Sequence, residues 1–324
     1  MANSSVYRES GATMGTFLQI TGFSGCSGHV SAEVRRIFSE VERKCSRFLP
    51  ESALSEVNRQ AGKKAVPVPE VLRSVLKEAL AEAAWTGGIF DPAIGAVTSL
   101  WNIGSSGERI PSEEERCRAE VLVDYRKVEL TGPQVFLKEA GMALDLGGAA
   151  KEYALHRAAE EAEKETSFSG IIDAGGDLCT VGTKPDGSLW QIGIQHPRRR
   201  KTLLGVMALR RWNTAETSGD YRRYVMEEGG FQCHIFQKPG LGCGEPLASA
   251  TLIYDRHTVH PPCGGAAFVA AGLEKSRAFL EKMPAVEAVL VTRDLDVWVT
   301  EGLADSFRLL DSTARKRALI LHRM

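Results

Sequence analysis

The stretch Leu144-Asp145-Leu146-Gly147-Gly148-Ala149-Ala150-Lys151-Glu152-Tyr153 changes character in its middle. Residues 142–145 read as a short strand. A small-residue helix starts near Gly147, with Ala150, Tyr153, Ala154 and Ala158 on one face. The glycine pair between them lets the backbone approach another group closely. A helix N-terminus presents free N–H groups that favour anions such as phosphates. Lys151, near the first turn, can meet a phosphate as a point charge. Taken alone, the same turn serves equally well for tight strand–helix packing.

Working outward, residues 13–21 read as an opening strand. Val30, Val34, Ile37, Phe38, Val41 and Cys45 recur at helical spacing, and residues 52–61 form a short helix. A stronger helix carries Val71, Leu72, Val75, Leu76, Ala79, Leu80 and Ala83 and ends at Gly87-Gly88. Asp91-Pro92 fits an N-cap followed by a first-turn proline, with a helix through Leu100. Strands follow at 121–123, 127–130 and 135–138. Beyond the central turn they continue at 170–174, 178–183, 189–195, 203–209, 221–226 and 231–236. A late apolar helix spans 265–280, with strands at 286–292 and 297–300. Residues 314–324 are basic and are expected to fray. Strands in runs and helices in separate blocks indicate an α+β fold in a single unit.

Composition narrows the function. Against 40 Lys and Arg stand 41 Asp and Glu among 324 residues, a net charge of -1. This balance lacks the basic footprint of a nucleic-acid binder. No apolar run is long enough for a membrane span. The 7 cysteines are an odd number without a C-x-x-C pair and read as reduced thiols. The opening MANSSVYRES has no basic or apolar leader segment, so a cytoplasmic location is expected for the chain as given. Phe23-Ser24-Gly25-Cys26 faintly resembles a lipoprotein cleavage box but follows a strand pattern, not a signal core.

Further motifs are Thr13-Met14-Gly15-Thr16, then Ser46-Arg47-Phe48 with Ser52-Ala53-Leu54-Ser55-Glu56-Val57-Asn58, and Gly88-Ile89-Phe90-Asp91-Pro92 with Trp101 and Gly104 downstream. Asp173-Ala174-Gly175-Gly176-Asp177 and Glu216-Thr217-Ser218-Gly219-Asp220-Tyr221, followed by His234-Ile235, complete the series. In this order the set resembles the FAD:protein FMN transferase (ApbE) family over nearly the whole chain. The resemblance implies a T-fold-like α+β architecture with antiparallel sheets and packed helices. It also implies flavinylation: transfer of FMN from FAD onto a Thr or Ser hydroxyl in an exposed loop of an acceptor flavoprotein, with AMP released and Mg²⁺ required. An N-terminal extension (1–12), a transferase domain (13–311) and a basic tail (312–324) follow from it. Members of the family are often exported or lipid-anchored.

Carried over by resemblance, Met14 and Phe48 line the flavin site, and Ile89, Phe90 and Asp91 contact the nucleotide. Asp145 and Lys151 flank the adenosine and phosphates, and the Gly148 carbonyl offers an oxygen to the metal. Gly175, Gly176 and Asp177 form the second glycine-rich turn. Ser218, Gly219 and Asp220 form the following loop, and Ile235 follows His234. His234 is the candidate base for the acceptor hydroxyl. Two departures stand out. The family's metal carboxylate and hydroxyl fall at Pro262 and Ala266, which have no side-chain donor, and Gln237 replaces an Asp. Two alternatives therefore accompany the transferase reading: a non-catalytic FAD-binding protein, and an FAD pyrophosphatase with water as acceptor. His257, His260 and Cys263 offer another metal-ligand pattern, against an ordinary loop. Trp101 and Trp190 read as core or rim aromatics. His196 reads as a loop residue, Arg198 to Lys201 as a solvated hairpin tip, and His156 as a packed or surface side chain.

Overall fold

Thr214 to Tyr254 shows why a large sheet forms here. In the strand Ser249–Tyr254 every residue is buried, because both faces are covered. Ala250, Leu252 and Tyr254 enter one apolar cluster, and Ile253 enters another on the opposite face. The computed structural model describes residues 6–23, 27–227, 230–238 and 240–322, and of Glu227 the backbone only. The box-like stretch ending at Cys26 lies outside the described residues.

In chain order the elements are β1 (Tyr7–Thr13), β2 (Thr16–Gly22), α1 (Ser27–Cys45), α2 (Ala53–Arg59), β3 (Val66–Pro67), α3 (Glu70–Trp85), α4 (Gly95–Trp101) and α5 (Glu113–Glu120). Then come β4 (Val128–Thr131), β5 (Gln134–Leu137), α6 (Ala150–Glu163), β6 (Gly170–Ala174), β7 (Asp177–Val181), β8 (Trp190–Gln195) and β9 (Leu203–Leu209). β10 (Thr214–Gly219), β11 (Tyr224–Glu227), β12 (Gly230–Cys233), β13 (Ser249–Tyr254) and α7 (Gly265–Glu281) follow. The chain closes with β14 (Glu287–Val291), β15 (Asp296–Thr300), β16 (Phe307–Leu309) and β17 (Arg315–Leu319).

Among the described residues a nine-stranded sheet runs β1-β2-β6-β7-β10-β13-β14-β15-β17. Its pairs are antiparallel except β15 with β17. The sheet β16-β9-β8 packs on one face through Ile192, Leu204 and Met207. Helices cover the other: α1 and α6 bury Val34, Phe38, Ala154 and Leu155 against Leu18, Ile20 and Ile172, and α7 lies over β13 and β14. Two covered faces explain why the central strands read as nearly continuous apolar runs. No described helix is long and apolar enough to cross a membrane. The six described cysteines are free.

The helices from periodic stretches form as the pattern indicates, and the mixed α+β class holds. Five local readings are corrected. Residues 13–21 are interrupted by a two-residue turn at Met14 (φ 47°) and Gly15 (φ 69°), which closes the β1–β2 hairpin. Residues 142–145 form no ladder, apart from one isolated bridge from Ala143 to Ile94. The reason is local: the Asn58 amide takes both polar groups of Leu144, accepting its N–H at 2.8 Å and donating to its carbonyl at 3.0 Å. Residues 121–123 follow α5 as a turn, and the helix after Asp91-Pro92 starts only at Gly95. Residues 315–319 of the tail do not fray: β17 pairs with β15 and buries Leu319.

Candidate active site

The turns at the ends of β2, β6 and β10 and the start of α6 open on one side of the sheet onto a cleft of ≈ 1640 Å³. Met14 and Phe48 stand on its wall, with Ile89, Phe90 and Asp91 beside them. Asp145, Gly148 and Lys151 line it from the strand–helix turn, and Gly176 and Asp177 from the second glycine pair. Ser218, Gly219, Asp220, His234 and Ile235 close the far side. Gly175 is not on the lining. It shapes the β6–β7 turn instead, with φ 66° and a Cβ position only 2.4 Å from Thr16 Oγ1.

Several of these side chains have fixed partners. Asp145 accepts from Arg47 Nε (2.8 Å), Thr98 Oγ1 (2.8 Å) and Gly147 N (2.9 Å), so its carboxylate ties three segments together. Asp91 accepts from Ala93 N (2.9 Å) and Tyr125 N (3.1 Å), and its burial raises its pKa above the usual carboxylate range. Lys151 is ion-paired with Asp177, whose other oxygen accepts from Thr217 N at 2.8 Å. Burial, and after it the charge of Arg222, push the Lys151 ammonium down to about 8. Asp220 is fully buried and takes both guanidinium nitrogens of Arg198, at 2.5 and 2.8 Å.

Other groups remain available. Phe48 is 52% exposed, and its ring carries the Arg47 guanidinium at 4.0 Å. Gly148 is packed on Phe90, where a Cβ would come within 2.8 Å of the ring. His234 Nδ1 lies 3.2 Å from the Arg223 carbonyl. A carbonyl only accepts, so Nδ1 carries the proton and Nε2 keeps its lone pair. The ring reaches solvent in the cleft, yet the protein packed around it withdraws enough water to lower its pKa below the ordinary histidine value.

The charge run read as a solvated tip is only partly so. Arg198, Arg200 and Lys201 line the cleft, and Arg199 pairs with Asp311. His196 is not a loose loop residue: it is 1% exposed and bonds Asp311 at 2.7 Å. Sequence reasoning also passed over Arg222 and Arg223, although they directly follow the Ser218-Gly219-Asp220-Tyr221 motif. Both line the cleft, Arg223 bonds the Gly15 carbonyl, and Arg222 lies against Gly176. Trp101 and Trp190 are buried, as expected of core or rim aromatics. His257, His260 and Cys263 do not converge: His257 is exposed and pairs with Glu163, while Cys263 is buried in the α7 cluster. Ala266 lines the cleft with a methyl group, and Pro262 lies off it.

Residues 14–290 match the family model described as the ApbE family. An FAD:protein FMN transferase from Treponema pallidum is 30% identical over 296 residues, spanning 86% of this chain and 82% of the relative. One from Klebsiella pneumoniae is 27% identical over 319 residues, with 96% and 97% covered. Among solved structures, the ApbE protein from Thermotoga maritima superposes with a TM-score of 0.79 at 27% identity, covering 95% of this chain and 98% of its own. The apo flavinyl transferase ApbE of Pseudomonas stutzeri, at 24% identity, shares the fold with a TM-score of 0.77, covering 95% of this chain and 99% of its own.

Proposed function

The chain belongs to the ApbE family, and from that membership we propose that it is an FAD:protein FMN transferase. The observation carrying this reading is that the separated motifs meet on one cleft with an apolar wall and a cationic one. The volume exceeds that of an ordinary small-ligand pocket and suits a dinucleotide plus an incoming loop. Met14, Phe48 and Ile235 offer apolar surface to an isoalloxazine ring. Lys151, Arg222 and Arg223 offer charge to the diphosphate.

The reaction exchanges one P–O bond for another. The acceptor Thr or Ser oxygen bonds the FMN phosphorus, and the bond from that phosphorus to the bridging oxygen breaks. AMP leaves with the bridging oxygen. The hydroxyl proton passes to His234 Nε2, which is free because Nδ1 is held by the Arg223 carbonyl. The Mg²⁺ that the resemblance implies would supply further neutralisation. Here Pro262 and Ala266 present no donor, and of the implied set only the Gly148 carbonyl remains. The residues present therefore do not fit the ion at that position, and the diphosphate charge falls to the cleft's cations.

The same departure favours a second reading, an FAD-binding protein without transfer. Incubation with FAD, divalent ions and an acceptor protein carrying an exposed Thr or Ser separates the readings. Transfer predicts an FMN phosphoryl adduct on the acceptor by intact mass, with equimolar AMP. AMP without an adduct identifies a pyrophosphatase, and retained FAD without AMP identifies a binding protein.

A further inference from the structure

At the floor of the cleft, α6 and β10 bring together three side chains that the transfer reading does not use. One ligating atom each of Glu152, His156 and Glu216 lies within 4.8 Å of the others. Glu152 and His156 are four residues apart on α6 and so share a face. β10 delivers Glu216 against that face, 3.1 Å from His156 Nε2 through Oε1. Tyr254 donates its hydroxyl hydrogen to the same Oε1 at 2.8 Å, and its oxygen lies 2.8 Å from His156 Nε2, so that nitrogen gives up its proton when it ligates an ion. Glu216 is 3% exposed, yet its second oxygen, Oε2, is buried with no hydrogen-bond partner. A buried carboxylate oxygen left unpaired is costly, so this atom points to an absent ligand.

The surroundings are short of positive charge. Burial raises the pKa of Glu152 well above the carboxylate range, and Glu216 and Glu82 add to it, with Lys151 opposing. Glu82, which accepts from Gly264 N at 2.9 Å, is pushed up to about 8 by burial. Glu78 faces the same group from α3, and the His260 ring stands 5.7 Å from that of His156. A Cβ on Gly264 would fall 2.8 Å from Glu152 Oε2. The Glu152 carboxylate thus lies against the start of α7, close to the segment where Pro262 has replaced a metal carboxylate.

We propose that Glu152, His156 and Glu216 bind one divalent transition-metal ion, reached from the cleft through Glu152 and Glu216. Two carboxylate oxygens and an imidazole nitrogen suit Mn²⁺ or Zn²⁺, whereas Mg²⁺ favours oxygen alone. The ion satisfies Glu216 Oε2 and neutralises the crowded carboxylates. The Tyr254 hydroxyl, bonded to both Glu216 Oε1 and His156 Nε2, orients the two ligands, as outer partners of metal ligands do. The proposal does not depend on FMN transfer, because the ion binds without FAD.

The full-length protein, stripped with a chelator and free of FAD, is titrated calorimetrically with MnCl₂, ZnCl₂ and MgCl₂. One Mn²⁺ or Zn²⁺ per chain is expected, bound at least about tenfold more tightly than Mg²⁺. Glu152→Gln and His156→Gln should each weaken Mn²⁺ by about tenfold or more, while Pro262→Ala leaves it unchanged. Spin-echo modulation of bound Mn²⁺ in the unaltered protein should show a nitrogen coupling, which His156→Gln removes. No stoichiometric ion, Mg²⁺ bound as tightly as Mn²⁺, or bound Mn²⁺ without nitrogen coupling would each overturn the proposal. The coupling measurement needs no variant to fold.

Discussion

Asp220 shows how a residue in a functional motif can be structural. Its buried carboxylate is gripped by Arg198, with Arg293 Nε at 3.5 Å. Asp220→Ala leaves Arg198 without its anion and Arg293 with only its longer contact to Glu245. A loss of about 3 kcal/mol is expected in urea unfolding, the low end for a broken buried pair because Arg198 is partly exposed. His234 behaves differently, because its bond to the Arg223 carbonyl fixes the tautomer but leaves one nitrogen free. His234→Ala should lower the transfer rate by about 10²–10⁴-fold while FAD affinity stays within twofold. A base works in its neutral form, so activity rises with pH through the histidine pKa and is flat above it. Since that pKa is lowered, the acid limb should lie below about 6.5 in the pH–rate profile. At this scale the candidate site residues carried by the motifs, other than Gly175, lie on the cleft, and the structure supplies their partners. No periodicity announces that Asn58 clasps Leu144, or that Arg47 and Thr98 hold Asp145. Those contacts join positions far apart in the chain.

Among the elements, legibility followed amphipathicity. α1 and α3 have apolar residues every three or four positions, and both form where that spacing places them. β4 and β5 are likewise found in their alternating stretches. Short segments whose state depends on a distant partner were misread. Residues 142–145 lost their ladder to Asn58, and β17 gains its strand state only by lying beside β15. α7 carries a break invisible to pattern: Gly272 has φ 74° and ψ 178° in an otherwise apolar helical run. Its Cβ position is 2.7 Å from the Glu245 carbonyl oxygen. Gly272→Ala therefore combines a left-handed φ with a backbone clash, and should cost about 1–3 kcal/mol in denaturant unfolding. An unchanged midpoint would mean that α7 can straighten through this position.

For the whole molecule, the α+β class was readable from strands in runs and helices in blocks, and several motifs each contribute a turn to one cleft. What could not be read was which segments complete the sheet. β1, whose residues 7–12 were expected in an extension, and β17, expected in a fraying tail, form its two outermost strands. Removing residues 312–324 should expose the β15 edge and lose the burial of Leu319, which alone contributes about 1.5–3 kcal/mol. A melting temperature several degrees lower is expected, with FAD binding retained in the fraction that stays folded. Equal melting temperatures would make β17 an ornament of the sheet rather than a part of it.

The placement of β1 and β17 on opposite borders also governs topological engineering. Strands spaced about 4.8 Å apart set those borders on the order of 40 Å from each other. A segment joining β1 to β17 would thus need at least about a dozen residues. During synthesis, one border can pair as soon as β2 emerges from the ribosome. The other stays open until residues 315–319 are made, leaving β15 as the nascent protein's unguarded rim.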